Sequence, residues 1–226
     1  MVDHITSHVS RATPEMKGIF ISFEGIEGTG KTIQSRLLFE HLTKKGYKVI
    51  LTEEPGGTQL GLKIRDMLLS VENRDMTPLT ELLLYNASRA QHIKEVILPA
   101  LRKGTIVITD RFTDSTVAYQ GYGRGIGSKI IGALETIVTE GLRPDITFLL
   151  DLDVETGLMR NKGINKTDRL ELEDVEFHKK VRDGYLRIAA EETERIKLID
   201  ASEDIEEIQR EIIDIVIRCI KICKKV

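Results

Sequence analysis

The chain has 226 residues, 41% of them hydrophobic and 31% charged, with a formal net charge of −3. That length is enough to bury one sizeable core, and no Pro-, Gly- or Ser-rich linker divides it. The weakly acidic balance gives no general attraction to nucleic acid or to a membrane surface, which leaves a small soluble ligand as the expected partner.

In chain order, residues 1–17 carry no periodic pattern and are expected to form a loosely ordered leader, with Met16 as an alternative start just before the first strand. His4 and His8 are four apart but are read as solvated, because no apolar stripe fixes a helix around them. This start also lacks the apolar stretch of a signal peptide, and the longest apolar runs, such as ITFLL, are too short to cross a bilayer. A cytoplasmic setting is expected.

GIFISFEG, from residue 18, predicts a strand running into a glycine-rich turn. KTIQSRLLFEHLTKKG then places Leu37, Leu38, His41 and Leu42 at helical spacing, with Gly46 as the stop. YKVILTEEPGG is a second short strand. LGLKIRDMLLS and TPLTELLLYNASRAQHIKEVILPALRKG follow as helices, the latter long and broken near Pro99. TIVITD is a β-branched strand, SKIIGALETIVTEG a helix and DITFLLDLD another buried strand. VETGLMRNKG and LEDVEFHKKVRDGYLRIAAEETE are helical, IKLIDAS is a strand, and a final helix starts near Asp204. Its Cys219 and Cys223 share one face and are read as small core residues. Apolar strands alternating with helices predict an α/β fold, with a parallel sheet covered on both faces in one domain over 18–226.

Residues 25–32, GIEGTGKT, match the phosphate-cradling pattern G-x-x-x-x-G-K-[ST] between a strand and a helix. Gly25, Gly28 and Gly30 let the backbone wrap around Thr29 with its N–H groups turned inward, and the helix N-terminus adds partial positive charge. Lys31 would reach the β- and γ-phosphates of a nucleotide, and the Thr32 hydroxyl would coordinate Mg²⁺. The strand TIVITD ends in Asp110, a carboxylate placed for the metal, with Arg111 beside it. NKTD, at 165–168, matches the guanine-reading N-K-x-D of GTPases, but no apolar strand precedes it and no D-x-x-G follows the first motif. The basic stretch around it holds Arg160, Lys162, Lys166 and Arg169 against Asp168. It reads either as a solvated loop or as a lid that brings cations over a transferring phosphoryl group.

Three further strings, EEPGGT (53–58), YNASRAQH (85–92) and DRFTDSTVAYQG (110–121), follow the phosphate loop in that order. With them the chain resembles the thymidylate kinase family over residues 18 to about 205. The resemblance implies a P-loop nucleoside monophosphate kinase fold with a short lid at about 157–171, a homodimer, and Mg²⁺-assisted transfer from ATP to dTMP giving dTDP and ADP. It also implies that Glu27 faces the acceptor sugar and that Arg65 and Arg111 clamp the acceptor phosphate. Tyr85 matches a ring stacked on the base, Arg89, Thr116 and Gln120 match base contacts, and Tyr119 matches a ring beneath the deoxyribose. With no arginine inside its phosphate loop, the chain resembles members that carry the catalytic cation in the lid, which points to Arg160 and Lys162. Glu53 departs from the commoner arginine. A nucleotide-gated switch and a kinase for another nucleoside monophosphate are the alternative readings.

Overall fold

The computed structural model describes residues 18–162 and 168–223, without the side chains of Lys162, Ile222 and Cys223. The expected leader with His4, His8 and Met16, and the lid stretch 163–167 with Lys166, lie outside the described residues.

Five parallel strands form one sheet: β1 (Phe20–Glu24), β2 (Val49–Glu53), β3 (Ile106–Asp110), β4 (Ile146–Asp151) and β5 (Ile196–Asp200), in the spatial order β2-β3-β1-β4-β5. β1 is buried along its whole length, its polar Ser22 and Glu24 included, and β3 and β4 are buried up to their last residue, whereas the edge strands β2 and β5 leave positions exposed. Alternation along β1 sends Ile21 and Phe23 to one face and Phe20 to the other. On the first face lie Leu38 and Leu42 of α1 (Lys31–Lys44) and Ile208, Ile212 and Val216 of α9 (Ile205–Cys223). Cys219 is half-buried against this core rather than part of its interior.

The opposite side carries α3 (Pro78–His92), α4 (Leu98–Arg102), α5 (Thr113–Thr116), α7 (Val154–Lys162) and α8 (Val175–Glu191) around the second and third apolar clusters, with α2 (Gln59–Leu69) and α6 (Ser128–Thr139) packed against α3. The Thr58, Thr77 and Asp174 side chains cap α2, α3 and α8 by accepting from backbone N–H groups. The predicted break near Pro99 is not a break. A π turn, Ile93–Ile97, carries α3 into α4, and Pro99 sits in the first turn of α4, where its missing N–H costs nothing. A second π turn, Val117–Gly123, prolongs α5 and sets Tyr119 and Gln120 inward. Among the described residues no helix is long and apolar enough to cross a membrane.

Candidate active site

Because all five strands run the same way, the loops after them converge at one edge of the sheet. They enclose a cavity of about 660 Å³. Every site residue selected from the sequence lines it, except Gly25, Arg89 and Lys162, whose side chain is outside the described residues.

At one end the phosphate loop turns from β1 into α1. Gly28 has φ 75°, and a Cβ there would fall onto the carbonyl oxygen of Gly157 in α7, so only glycine lets α7 close on the loop. α1 starts from Gly30 without a side-chain cap, and its ladder begins only with Ile33 and Gln34 N–H donating to Gly30 O, so the helix N-terminus is open to an anion. The Lys31 ammonium donates to the Ile26 carbonyl at 2.7 Å, and burial together with Arg111 pushes it down to about 8. β1 and β3 are neighbours in the sheet, so Thr32 meets Asp110 across 78 residues, its hydroxyl donating to Oδ2 at 2.6 Å. A hydroxyl and a carboxylate oxygen side by side next to a phosphate cradle are the hard donors that Mg²⁺ takes, so these residues fit the ion.

Arg111 stands at the centre. Its φ of 72° is strained for a residue with a Cβ, and the surrounding bonds hold it there. Its backbone N–H donates to Phe23 O at 2.9 Å. Glu24, fully buried beneath it, accepts from Phe112 N at 2.7 Å, the Ser115 hydroxyl at 2.6 Å and the Tyr185 hydroxyl at 3.0 Å. Burial, with Asp114 nearby, pushes the Glu24 carboxyl up to about 7. The guanidinium donates to Gly25 O, Ser115 and Tyr185 through Nη1, and to Glu27 Oε1 and Tyr119 through Nη2. Glu27 also accepts from the Tyr119 hydroxyl at 2.6 Å, and His178 Nδ1 stands 3.5 Å from its other oxygen. Burial works against ionisation of Glu27, but His178, Arg111 and Lys31 hold it well below the usual carboxylate range. Arg65 faces the same end, donating to Pro55 O at 2.7 Å with Glu53 at 3.3 Å.

At the other end stand Tyr85, Thr116 and Gln120. Arg89 lies behind Thr116, 2% exposed, with its guanidinium bound to Glu54, Thr116 and Phe112 O. The cavity therefore joins a phosphate cradle and two arginines to a ring and the polar side chains of Thr116 and Gln120, the form that a nucleotide acceptor requires.

A family model described as thymidylate kinase matches residues 23–212. The thymidylate kinase of Geotalea uraniireducens is 52% identical over 196 residues, covering 84% of this chain and 92% of that protein. That of Caldanaerobacter subterraneus is 53% identical over 190 residues, covering 84% and 90%. The crystal structure of thymidylate kinase from Ehrlichia chaffeensis superposes with a TM-score of 0.72 at 39% identity, covering 88% of this chain and 98% of that one.

The chain belongs to the thymidylate kinase family. Its activity is phosphorylation of dTMP by ATP. The sequence reading for this family missed the side chains that hold the site from behind: Glu24, Glu54, Glu81, Ser115, His178 and Tyr185. Of these, only Glu54 and Ser115 lie inside the strings that carry the family resemblance, and nothing in spacing separates a carboxylate that buttresses a site from one in solvent. The basic stretch also divides. Arg160 lines the cavity and donates to Ala201 O at 2.9 Å, whereas Arg169 is buried and bound to Glu81 at 2.6 Å. Asp168, the last residue of NKTD, accepts from the backbone N–H groups of Leu170 and Glu171 and so closes its own turn.

Proposed function

We propose that the γ-phosphoryl group of ATP passes directly to a phosphate oxygen of dTMP, with the two nucleotides held head to head in this one cavity. The observation that carries the reading is the meeting in one cavity of Lys31, Thr32 and Asp110 with Arg111 and Glu27, and with Tyr85, Thr116 and Gln120. The attacking oxygen forms the new bond to the γ-phosphorus as the bond to the β,γ-bridging oxygen breaks, and ADP leaves with that oxygen. No general base is needed, since the acceptor oxygen is already ionised; positioning and charge neutralisation do the work.

In this reading the loop from Gly25 to Thr32 holds the donor phosphates, and Arg65 and Arg111 hold the acceptor phosphate. Glu27 faces the sugar, Tyr119 lies beneath it, and Tyr85, Thr116 and Gln120 hold the base, with Arg89 acting on it through Thr116. Thr32 and Asp110 would hold Mg²⁺, which when bound neutralises phosphate charge. The setting we infer is cytoplasmic.

The transferring group needs a further cation, because the phosphate loop carries Glu27 and no arginine. We assign it to the lid, to Lys162 and Arg160, since Arg169 is committed to Glu81. Losing a cation that acts only in the transition state lowers kcat, while losing a uniform binder raises KM alone. Lys162→Ala is expected to lower kcat at least about tenfold, roughly 1.4 kcal/mol, with KM for dTMP little changed. The assay is dTDP formed from ATP and dTMP. Free phosphate in place of dTDP would mark a hydrolytic switch, and kcat within twofold of the parent for Arg160→Ala, Lys162→Ala and Lys166→Ala alike would remove the lid cation.

A homodimer fits the surface. α3 packs between α2 and α6, and these helices expose Leu60, Leu62, Leu79, Leu83, Ile130 and Ile137. Apolar side chains exposed on adjoining helices are what an interface between two copies would cover. Sedimentation is expected to give twice the chain mass, and a single species at the chain mass would overturn the dimer.

A further inference from the structure

Behind each of the two polar side chains at the base end stands a buried group of fixed hydrogen-bonding character. Arg89 can only donate. Its Nη1 gives a proton to Thr116 Oγ1 at 2.8 Å, and Glu54, accepting from Arg89 Nε at 2.7 Å and facing His92 Nδ1 at 2.9 Å, holds the guanidinium in place. Thr116 Oγ1 is therefore already an acceptor toward Arg89, and its own proton is left for the cavity. Glu81 is the opposite pole. It is fully buried and bound by Arg124 at 3.1 Å and Arg169 at 2.6 Å. Burial would raise its carboxyl, but Arg124, Gln120 and Arg169 hold it below the usual range, so it stays an acceptor. It takes the Gln120 Nε2 proton at 2.8 Å, which fixes which way that amide faces and leaves its carbonyl oxygen for the cavity.

We propose that Glu81 is a specificity-determining positioning residue: by orienting Gln120, and with Arg89 orienting Thr116, it fixes an acceptor beside a donor at the base end. This deepens the reading of the Tyr85 end as the site of the acceptor base and rests on it. An acceptor beside a donor complements a base edge in which a ring N–H adjoins a carbonyl, the edge that thymine and uracil present. It opposes the edge of cytosine, where a ring nitrogen with a lone pair adjoins an amino group. Both cytosine groups would meet like partners, and a buried polar group left unpaired is heavily penalised.

Glu81→Gln tests this, because the isosteric amide can donate as well as accept and so releases Gln120 to turn over. The ratio of kcat/KM for dTMP to that for dCMP is expected to fall tenfold or more. The ratio of dTMP to dUMP, which share the lactam edge, should stay within about twofold, as should KM for ATP. General loosening of the site would move both ratios. A folded Glu81→Gln protein with an unchanged dTMP to dCMP ratio overturns the proposal, as does a parent enzyme that uses dCMP as well as dTMP. Should Glu81→Gln fail to fold for want of an anion beside Arg124 and Arg169, Gln120→Leu removes the acceptor and leaves Glu81 its arginines. The same fall in the dTMP to dCMP ratio is then expected, and a ratio within twofold of the parent overturns the proposal. A parent that makes dTDP throughout keeps failure here separate from failure of the dTMP reading.

Discussion

Lys31→Ala is expected to lower kcat at least about a hundredfold, about 3 kcal/mol, while the fold is retained. The ammonium is held by the Ile26 carbonyl and reaches toward Thr29 at 3.5 Å, so its charge sits inside the cradle. Truncation leaves the Ile26 oxygen to water or to the loop, a small cost, but removes the charge that meets the β- and γ-phosphates as negative charge moves toward the leaving ADP. The pH profile provides an independent check. The free-enzyme ammonium is pushed down to about 8 by burial and by Arg111. Only its protonated form attracts phosphate, so kcat/KM for ATP should be level below that value and fall as pH rises through it. The residual activity of Lys31→Ala should lack this limb. A variant with more than a third of parent activity would take Lys31 out of the mechanism.

The parts of the molecule legible in the sequence are those whose physics is local. The apolar run ITFLL reads as a strand because β4 is buried up to its last residue, and the glycines of residues 25–30 stand where φ is positive, at Gly25, Gly28 and Gly30. The two π turns were not legible, since an inserted residue in a helix leaves no spacing signal that a proline does not also leave. At the site, Lys31, Thr32 and Asp110 could be placed because strand and loop chemistry names them. Glu24, Glu81 and Tyr185 could not, because their roles depend on contacts made across long separations, such as the bond from Tyr185 to Glu24. The lid reading was legible as a run of charge, but charge alone did not separate Arg160, which faces the cavity, from Arg169, which is consumed by Glu81.

Arg111→Lys is the substitution that best separates charge from geometry at the centre of the site, and kcat/KM for dTMP is expected to fall at least about a hundredfold. Lysine keeps the positive charge but replaces a planar fork with a single nitrogen. The fork spans Gly25 O at 3.0 Å and Tyr185 at 3.1 Å on one side, and Glu27 at 3.1 Å and Tyr119 at 3.2 Å on the other. An incoming phosphate can displace the neutral hydroxyls while Glu27 keeps its partner. One ammonium cannot hold Glu27 and a phosphate in the same arrangement, so the acceptor loses its orientation, and KM for ATP should move by less than about threefold. Arg111→Ala goes further and takes from the largely buried Glu27 its arginine partner, leaving it to Tyr119, His178 and Lys31, a loss on the order of 3 kcal/mol of stability. Because the folded Glu27 carboxyl is depressed, its contribution is complete at neutral pH and is lost only as pH falls into the acid range, so the variants are compared near neutrality. Adding Glu27→Gln to Arg111→Ala should restore much of the melting temperature and none of the turnover. If the double variant recovered both, Arg111 would be a structural partner of Glu27 and the acceptor clamp would have to be sought at Arg65.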